Sequence, residues 1–381
     1  MSDSIYLDNN ATTPVAPECL DAMLACLREN HGNPSSKHRA GERAKQSVNE
    51  ARAQVAGLLN AMPAEIVFTS GGTESNHLAI LGALALNPDK HHVVTSAVEH
   101  PSTLSLLRHL ETMGVRVTYL PVDAQGQLDL AALSRALTPD TALVTLLWAN
   151  NETGVLFPIE AAAKIVKSAG VLFHIDAVQA AGKIAIDLKQ LPVDFLSLSG
   201  HKLHAPKGVG ALYVRKGVKL PPLLFGHQER ARRGGTENVP GIVGLGVAAA
   251  LAREAMEANT ARMRVLRDRL EWGVVERIPF ARVNGVAAAR VANTSNIRFG
   301  DMEAEIILDR LDRAGICAAL GAACTAGGSE PSHVLTAMGL DRRAARASVR
   351  FSLSRYTTDA EIGRVLELLP GIVDGLTAAA A

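Results

Sequence analysis

Between residues 65 and 199 the chain repeats one pattern: a short apolar run, a polar loop, then a longer stretch with helical spacing. The apolar runs fall at 65–69, 93–96, 115–120, 142–148, 171–175 and 195–199. Residues 77–86, 101–113, 129–137 and 158–169 lie between them and read as helices. Strands alternating with helices predict an α/β fold with a mostly parallel central sheet covered on both faces. A long helix rich in Ala, Arg and Glu is expected over 241–278. Beyond it, strand-like 294–299 and 347–353 and helix-like 303–314 predict a smaller α+β domain. The expected division is a large domain over 15–258 and a small one formed by 1–14 with 259–381.

A chain of 381 residues is long enough for both domains. Its 39 Lys+Arg against 38 Asp+Glu give no electrostatic reason to expect nucleic acid or an anionic membrane as partner. The sequence shows no apolar stretch of membrane-spanning length, and its opening MSDSIYLDNN has neither the basic nor the apolar region of a signal peptide. Cys19, Cys26, Cys317 and Cys324 match no zinc spacing and are too few for a disulfide framework, so a reducing cytoplasm is the expected compartment.

The chemistry-bearing residues sit in the loops that follow the apolar runs. Ser199-Gly200-His201-Lys202 ends one run, and His174-Ile175-Asp176-Ala177-Val178-Gln179 ends another. A lysine where a buried strand ends suits covalent work, since desolvation favours its neutral amine. A lysine and an aspartate at two strand ends are the pair that pyridoxal phosphate requires. The lysine joins it as a Schiff base, and the aspartate keeps the pyridine nitrogen protonated.

Three more loops join them: Thr69-Ser70-Gly71-Gly72-Thr73, Glu99-His100-Pro101 and Asn150-Asn151-Glu152-Thr153-Gly154. Taken singly, Gly-Gly-Thr fits a plain turn as well as a phosphate cup, a lone histidine is commonly structural, and Asn-Asn with Gly154 fits turn chemistry. Ligands of open α/β sheets bind outside the carboxyl ends of strands, where all five loops would converge.

With these segments in place, the chain resembles the cysteine desulfurases of the NifS/IscS kind, in the class V aminotransferase group of fold-type-I pyridoxal-phosphate enzymes. The resemblance runs from Tyr6-Leu7-Asp8-Asn9-Asn10-Ala11-Thr12-Thr13 to Val349-Arg350-Phe351-Ser352 and takes in Gly226-His227-Gln228-Glu229 and Arg233-Gly234-Gly235-Thr236-Glu237-Asn238. It implies that Lys202 holds the cofactor, Asp176 pairs with the ring nitrogen and His100 stacks on the ring and exchanges protons. Gln179, with Asn151 close by, would bond the phenolic oxygen. Gly72, Thr73, Ser199 and His201 would bind the phosphate, and Thr236 would reach the phosphate of the other subunit's cofactor in a homodimer. Arg350, with Asn10 and Asn151, would bind the carboxylate of the substrate, L-cysteine.

Cys324 selects the reaction. It lies in Leu320-Gly321-Ala322-Ala323-Cys324-Thr325-Ala326-Gly327-Gly328-Ser329, where bulky neighbours to pack against are few. The resemblance makes it the sulfur-accepting nucleophile, which passes its cargo to an iron–sulfur scaffold protein of the NifU/IscU kind. It would be at most a transient iron–sulfur ligand, with no intrinsic metal site implied. The loop departs from the family pattern: Ala319, Leu320, Ala322, Ala326 and Gly328 stand where serines are expected. A selenocysteine lyase or another class V aminotransferase would share the cofactor residues without needing Cys324. A non-enzymatic component of a sulfur-transfer complex is disfavoured by the full set of Asp176, Lys202, His100, Arg350 and Cys324. The 315–331 segment and His204-Ala205-Pro206-Lys207 look most like the NifS branch, associated with nitrogen fixation.

Overall fold

A computed structural model describes residues 4–321 and 330–380. The chain enters through β1 (Ile5–Tyr6), α1 (Pro17–Glu29) and α2 (Arg39–Leu58), and then builds the alternating region. That region contains β2 (Ile66–Thr69), α3 (Gly72–Leu86), β3 (His92–Ser96), α4 (Pro101–Thr112), β4 (Arg116–Leu120) and α5 (Leu130–Ala136). It continues with β5 (Thr141–Leu147), α6 (Ile159–Ser168), β6 (Leu172–Asp176), β7 (Phe195–Ser199) and β8 (Gly210–Val214). Seven strands form one sheet in the order β2-β8-β7-β6-β5-β3-β4. From β7 to β4 all neighbours are parallel, as the alternation predicted. Every residue of β2, β3, β5, β7 and β8 is buried, which is why these runs are apolar throughout instead of alternating.

The strand β8 departs from the sequence pattern, which predicts no strand between 199 and the long helix. It runs antiparallel between β2 and β7. Gly210 explains its position. A Cβ there would lie 2.7 Å from Gly71 Cα and 2.7 Å from Leu198 O, so only glycine lets the turn after β2 cross β8 this closely.

Past the one-turn α7 (Gln228–Ala231), α8 (Val239–Arg277) runs for 39 residues. Its first part packs Ile242, Leu245, Ala248 and Ala249 into the main core beside α1 and α2. Its last part carries Leu266, Leu270 and Val274 into a second core with Leu7, Phe299, Val349 and Phe351. One sequence expectation is corrected here: α8 is long and apolar enough to cross a membrane, and half of its most apolar stretch is buried inside the fold.

The second core lies under β9 (Ala281–Val283), β10 (Thr294–Phe299), α9 (Ala304–Arg313), β11 (Ile316–Cys317), β12 (Ala319–Leu320), β13 (Ser348–Ser352) and α12 (Asp359–Ala380), while α10 (His333–Ala337) and α11 (Arg342–Arg346) send Val334, Leu335 and Ala345 into the main core. An antiparallel sheet runs β12-β13-β10-β9, and β1 pairs in parallel with β11. Cys19 and Cys26 are buried on α1. Cys317 is half-buried.

Gly210→Ala should lower the free energy of unfolding by about 1–3 kcal/mol, the usual cost of overpacking against backbone that cannot yield. Gly371, on α12 with nothing within 4 Å of an added Cβ, is the control: Gly371→Ala should be neutral or slightly stabilising in the same denaturant titration.

Candidate active site

The carboxyl ends of β2, β3, β5, β6 and β7 open on one cavity of about 250 Å³. Its walls include Asn10, Gly72, Thr73, His100, Asn151, Asp176, Gln179, Ser199, His201, Lys202 and Arg350, all of which the sequence singled out. Thr236 is not among them. It lines a separate cavity of about 180 Å³ with Phe68, Ser70 and Arg233. That segment is tied to the start of α3 by Arg233, whose Nε donates to Glu74 Oε1 at 2.8 Å. Cys324 lies outside the described residues.

Asp176 ends β6 with its carboxylate buried. Oδ2 accepts from Asn76 Nδ2 at 2.7 Å, and Oδ1 accepts from the Val178 amide at 2.9 Å. Both donors are uncharged, and the carboxylate faces the cavity. A buried carboxylate held by neutral donors is costly. A protonated pyridine nitrogen would supply a cation, so the donor set fits pyridoxal phosphate. The other end fits as well: the first-turn amides of α3, at Gly72 and Thr73, have no partners within the helix and favour an anion.

Lys202 closes a short 3-10 turn, Gly200–Lys202, directly after β7. Its Nζ donates to the Ala11 carbonyl at 2.6 Å and also to that of Asn10. The side chain is half-buried, so the deep burial argued from sequence does not fall on it. It falls instead on Lys183, which no sequence motif marks.

Both cavity histidines are held neutral. Burial, and then Lys202, bring His201 down to about 4, and burial lowers His100 as well. His100 caps α4, with its Nδ1 accepting from the Ser102 amide at 3.1 Å. Nδ1 is therefore an acceptor, and the neutral ring carries its proton on Nε2.

Arg350 lies on β13 at 1% exposure. One nitrogen, Nη2, reaches Asp8 Oδ1 at 2.7 Å. The other, Nη1, donates to Gly321 O at 2.9 Å and Asn151 O at 3.1 Å, and Nε has no partner among the described residues. Asn10 joins the two cores at this point. Its amide donates to Ser352 Oγ at 2.9 Å, and its Nδ2 donates to Thr294 Oγ1 at 2.8 Å and Asn151 O at 3.1 Å.

Several polar residues around the cavity go beyond those the sequence singles out. Asn76 orients Asp176; its signal was its place near the start of the helix after Gly-Gly-Thr. Glu152, next to the noted Asn151, is buried and accepts from Ser332 Oγ at 2.5 Å, and burial pushes its pKa up. Glu99, next to His100, is fully buried and accepts from Ser96 Oγ at 2.6 Å and the Leu147 amide at 3.0 Å. Burial pushes its carboxyl up to about 8.

The aminotransferase class-V family profile matches residues 5–365. Cysteine desulfurase 2 of Trichormus variabilis is 56% identical over 375 residues, which are 98% of this chain and 94% of that protein. Cysteine desulfurase NifS of Azotobacter vinelandii is 52% identical over 371 residues, 97% and 92% of the two chains. Among solved structures, a NifS-like protein superposes with a TM-score of 0.90 at 38% identity, over 97% of this chain and 99% of that one. The chain belongs to the aminotransferase class-V family, whose fold-type-I members work with pyridoxal phosphate. Within that family it groups with the cysteine desulfurases.

Glu99 makes a pH-dependent contribution whose sign is fixed by its position. Its folded value of about 8 lies above the ordinary 4.5, so between the two the native state keeps a proton that the unfolded chain has lost. Stability from this group is therefore full below the unfolded value and is lost as pH rises through the folded one. Glu99→Gln should flatten the fall of the unfolding midpoint across that window. An unchanged pH profile in thermal melts would show that Glu99 ionises normally.

Proposed function

We propose that this chain takes sulfur from L-cysteine, releases L-alanine and carries the sulfur on Cys324 as a persulfide until an iron–sulfur scaffold protein of the NifU/IscU kind accepts it. The observation that supports this most is the gathering of eleven sequence-selected residues, from five strand ends, the N-terminal segment and β13, around one cavity.

Bound pyridoxal phosphate would supply an electron-accepting ring conjugated to the α-carbon of the substrate. Lys202 would hold it covalently, Asp176 would face its ring nitrogen and His100 its ring plane. Gln179 with Asn151 would face its phenolic oxygen, and Gly72, Thr73, Ser199 and His201 its phosphate. Arg350 binds the carboxylate of L-cysteine beside Asn10, with which it lines the cavity. Lys202, stationed at the cavity wall, takes the α-proton and later returns one. His100, neutral with its proton on Nε2, can hand that proton to a reacting atom and recover it. The Cys324 thiolate then forms a bond to the sulfur of the substrate. The carbon–sulfur bond breaks, its electron pair stays on carbon, and protonation there completes L-alanine.

Thr236 is assigned to the phosphate of the partner subunit's cofactor, in a homodimer with shared sites. Its placement in a separate cavity, tethered through Arg233 to the phosphate-binding turn, supports that reading. The division into 15–258 and 1–14 with 259–381 is retained as part of this reading. It is supported by a second core whose buried members among the described residues are Leu7 and residues from Leu266 to Val373. A cytoplasmic setting is in keeping with the free thiols of Cys19, Cys26 and Cys317.

Lys202→Ala should lose the cofactor's visible colour and at least about 10³-fold in turnover while keeping its fold, since one amine provides both the link and the base. Cys324→Ala should still bind cofactor and L-cysteine yet release little alanine. Intact-mass measurement after brief exposure to L-cysteine should find one added sulfur on the Cys324 peptide of the wild type. Persulfide on another cysteine, or full alanine production by Cys324→Ala, would place the sulfur step elsewhere. In sedimentation the active species should be a dimer, and a fully active monomer would remove the role given to Thr236.

A further inference from the structure

Lys183 is 8% exposed, and its amine meets no carboxylate among the described residues. Its Nζ donates to Gln179 Oε1 at 2.6 Å and stands 3.5 Å from Asn10 Oδ1. Burying an ammonium against neutral amides stabilises nothing by itself. The surroundings make the cost larger: burial lowers its pKa to about 7, with Lys202 and Arg350 adding to the shift. Lys202 and Arg350 line the cavity and Lys183 stands behind that wall; the acidic groups near them are Asp8, paired to Arg350, and Asp176 and Glu152 of the same lining. The three basic groups suit an anionic oxygen arriving with a ligand.

The geometry shows how Lys183 would act on that oxygen. Gln179 is 5% exposed, and a buried amide can sit in either of two flips. In its ammonium form a lysine can only donate, so it turns Oε1 toward itself and leaves Nε2 facing forward, where it donates to Asn10 O at 2.9 Å. Asn10 O is shared with Lys202 Nζ, so it cannot serve Gln179 alone. Lys183 also lines a small cavity of about 50 Å³ together with Lys202, which puts its amine behind the reacting wall and not in it.

We propose that Lys183 is a positioning residue: it locks the Gln179 amide so that an N–H donor faces the phenolic oxygen of the cofactor. This rests on the reading of Gln179 as the partner of that oxygen. A donor there favours the anionic oxygen and so lowers the pKa at which the visible band of the bound cofactor titrates.

The test is a pH titration of that band in the holoenzyme without substrate, for wild type, Lys183→Met, Gln179→Leu and the double variant, with cofactor content measured alongside. Lys183→Met should keep its cofactor and raise the apparent pKa by about one unit, a tenfold change in the acid constant. Gln179→Leu should produce a similar rise, and the double variant no more than either alone. Lys183→Arg should return most of the shift. If Lys183→Met does not fold, Lys183→Gln carries the same expectation. An unmoved band in Gln179→Leu overturns the reading of Gln179 and the inference with it. A moved band in Gln179→Leu with an unmoved one in the Lys183 variant overturns the role of Lys183 only. Shifts that sum in the double variant also overturn it, because Lys183 would then act independently of the amide.

Discussion

The site depends on where the backbone of Asn10 is pinned. Its amide is held by Ser352 on β13, while its carbonyl accepts from Gln179 and Lys202 on the opposite side. Asn293 Nδ2 adds a bond to its side-chain oxygen at 3.0 Å. Leu7, three residues earlier, is fully buried in the second core, which stops this segment from sliding. The strap therefore sets the distance between the arginine that would bind the substrate carboxylate and the lysine that would work at its α-carbon. Neither β13 nor β7 touches the other in either sheet, so no ladder of backbone hydrogen bonds does that work.

Around this strap the charges are arranged with few compensations inside the protein. Asp176 is a buried anion satisfied by an amide and a backbone N–H. Lys183 is a buried amine held by amide oxygens, and burial lowers its pKa to about 7. The cavity histidines are neutral because burial disfavours their charged form. Separated charges held by neutral groups are costly in an empty cavity and favourable toward a ligand that carries the complementary charges in the same order. Perturbed groups cluster at functional sites for that reason.

How much of this is legible in the sequence varies with the kind of residue. Asp176, Lys202 and His100 stand next to the ends of apolar runs, so strand alternation alone places them at one sheet edge. The six predicted runs all appear as strands, with ends moved by a residue or two where loops satisfy the terminal backbone groups. Arg350 is legible from its apolar neighbours Val349 and Phe351, which mark a buried strand. By contrast β8 is not, because Gly208 and Gly210 look like loop punctuation when the reason for Gly210 is the closeness of Gly71. The apolar first half of α8 is also easily undervalued, since its residues serve the main core before the helix passes to the second.

The sequence by itself determined the class of fold and the chemical types gathered at the sheet edge, since periodicity and composition are local properties that survive in one dimension. It placed a lysine, an aspartate, a histidine and an arginine in settings suited to a cofactor and an amino-acid carboxylate. Only the tertiary structure decided which lysine is desolvated, which amide orients which carboxylate, and that Thr236 lies away from its own chain's cavity. Those outcomes depend on neighbours 100 or more residues apart, such as Asn76 with Asp176, Asn10 with Lys202 or Asp8 with Arg350. Burial and hydrogen-bond partnership are set by packing, and packing exists only once the chain has closed on itself.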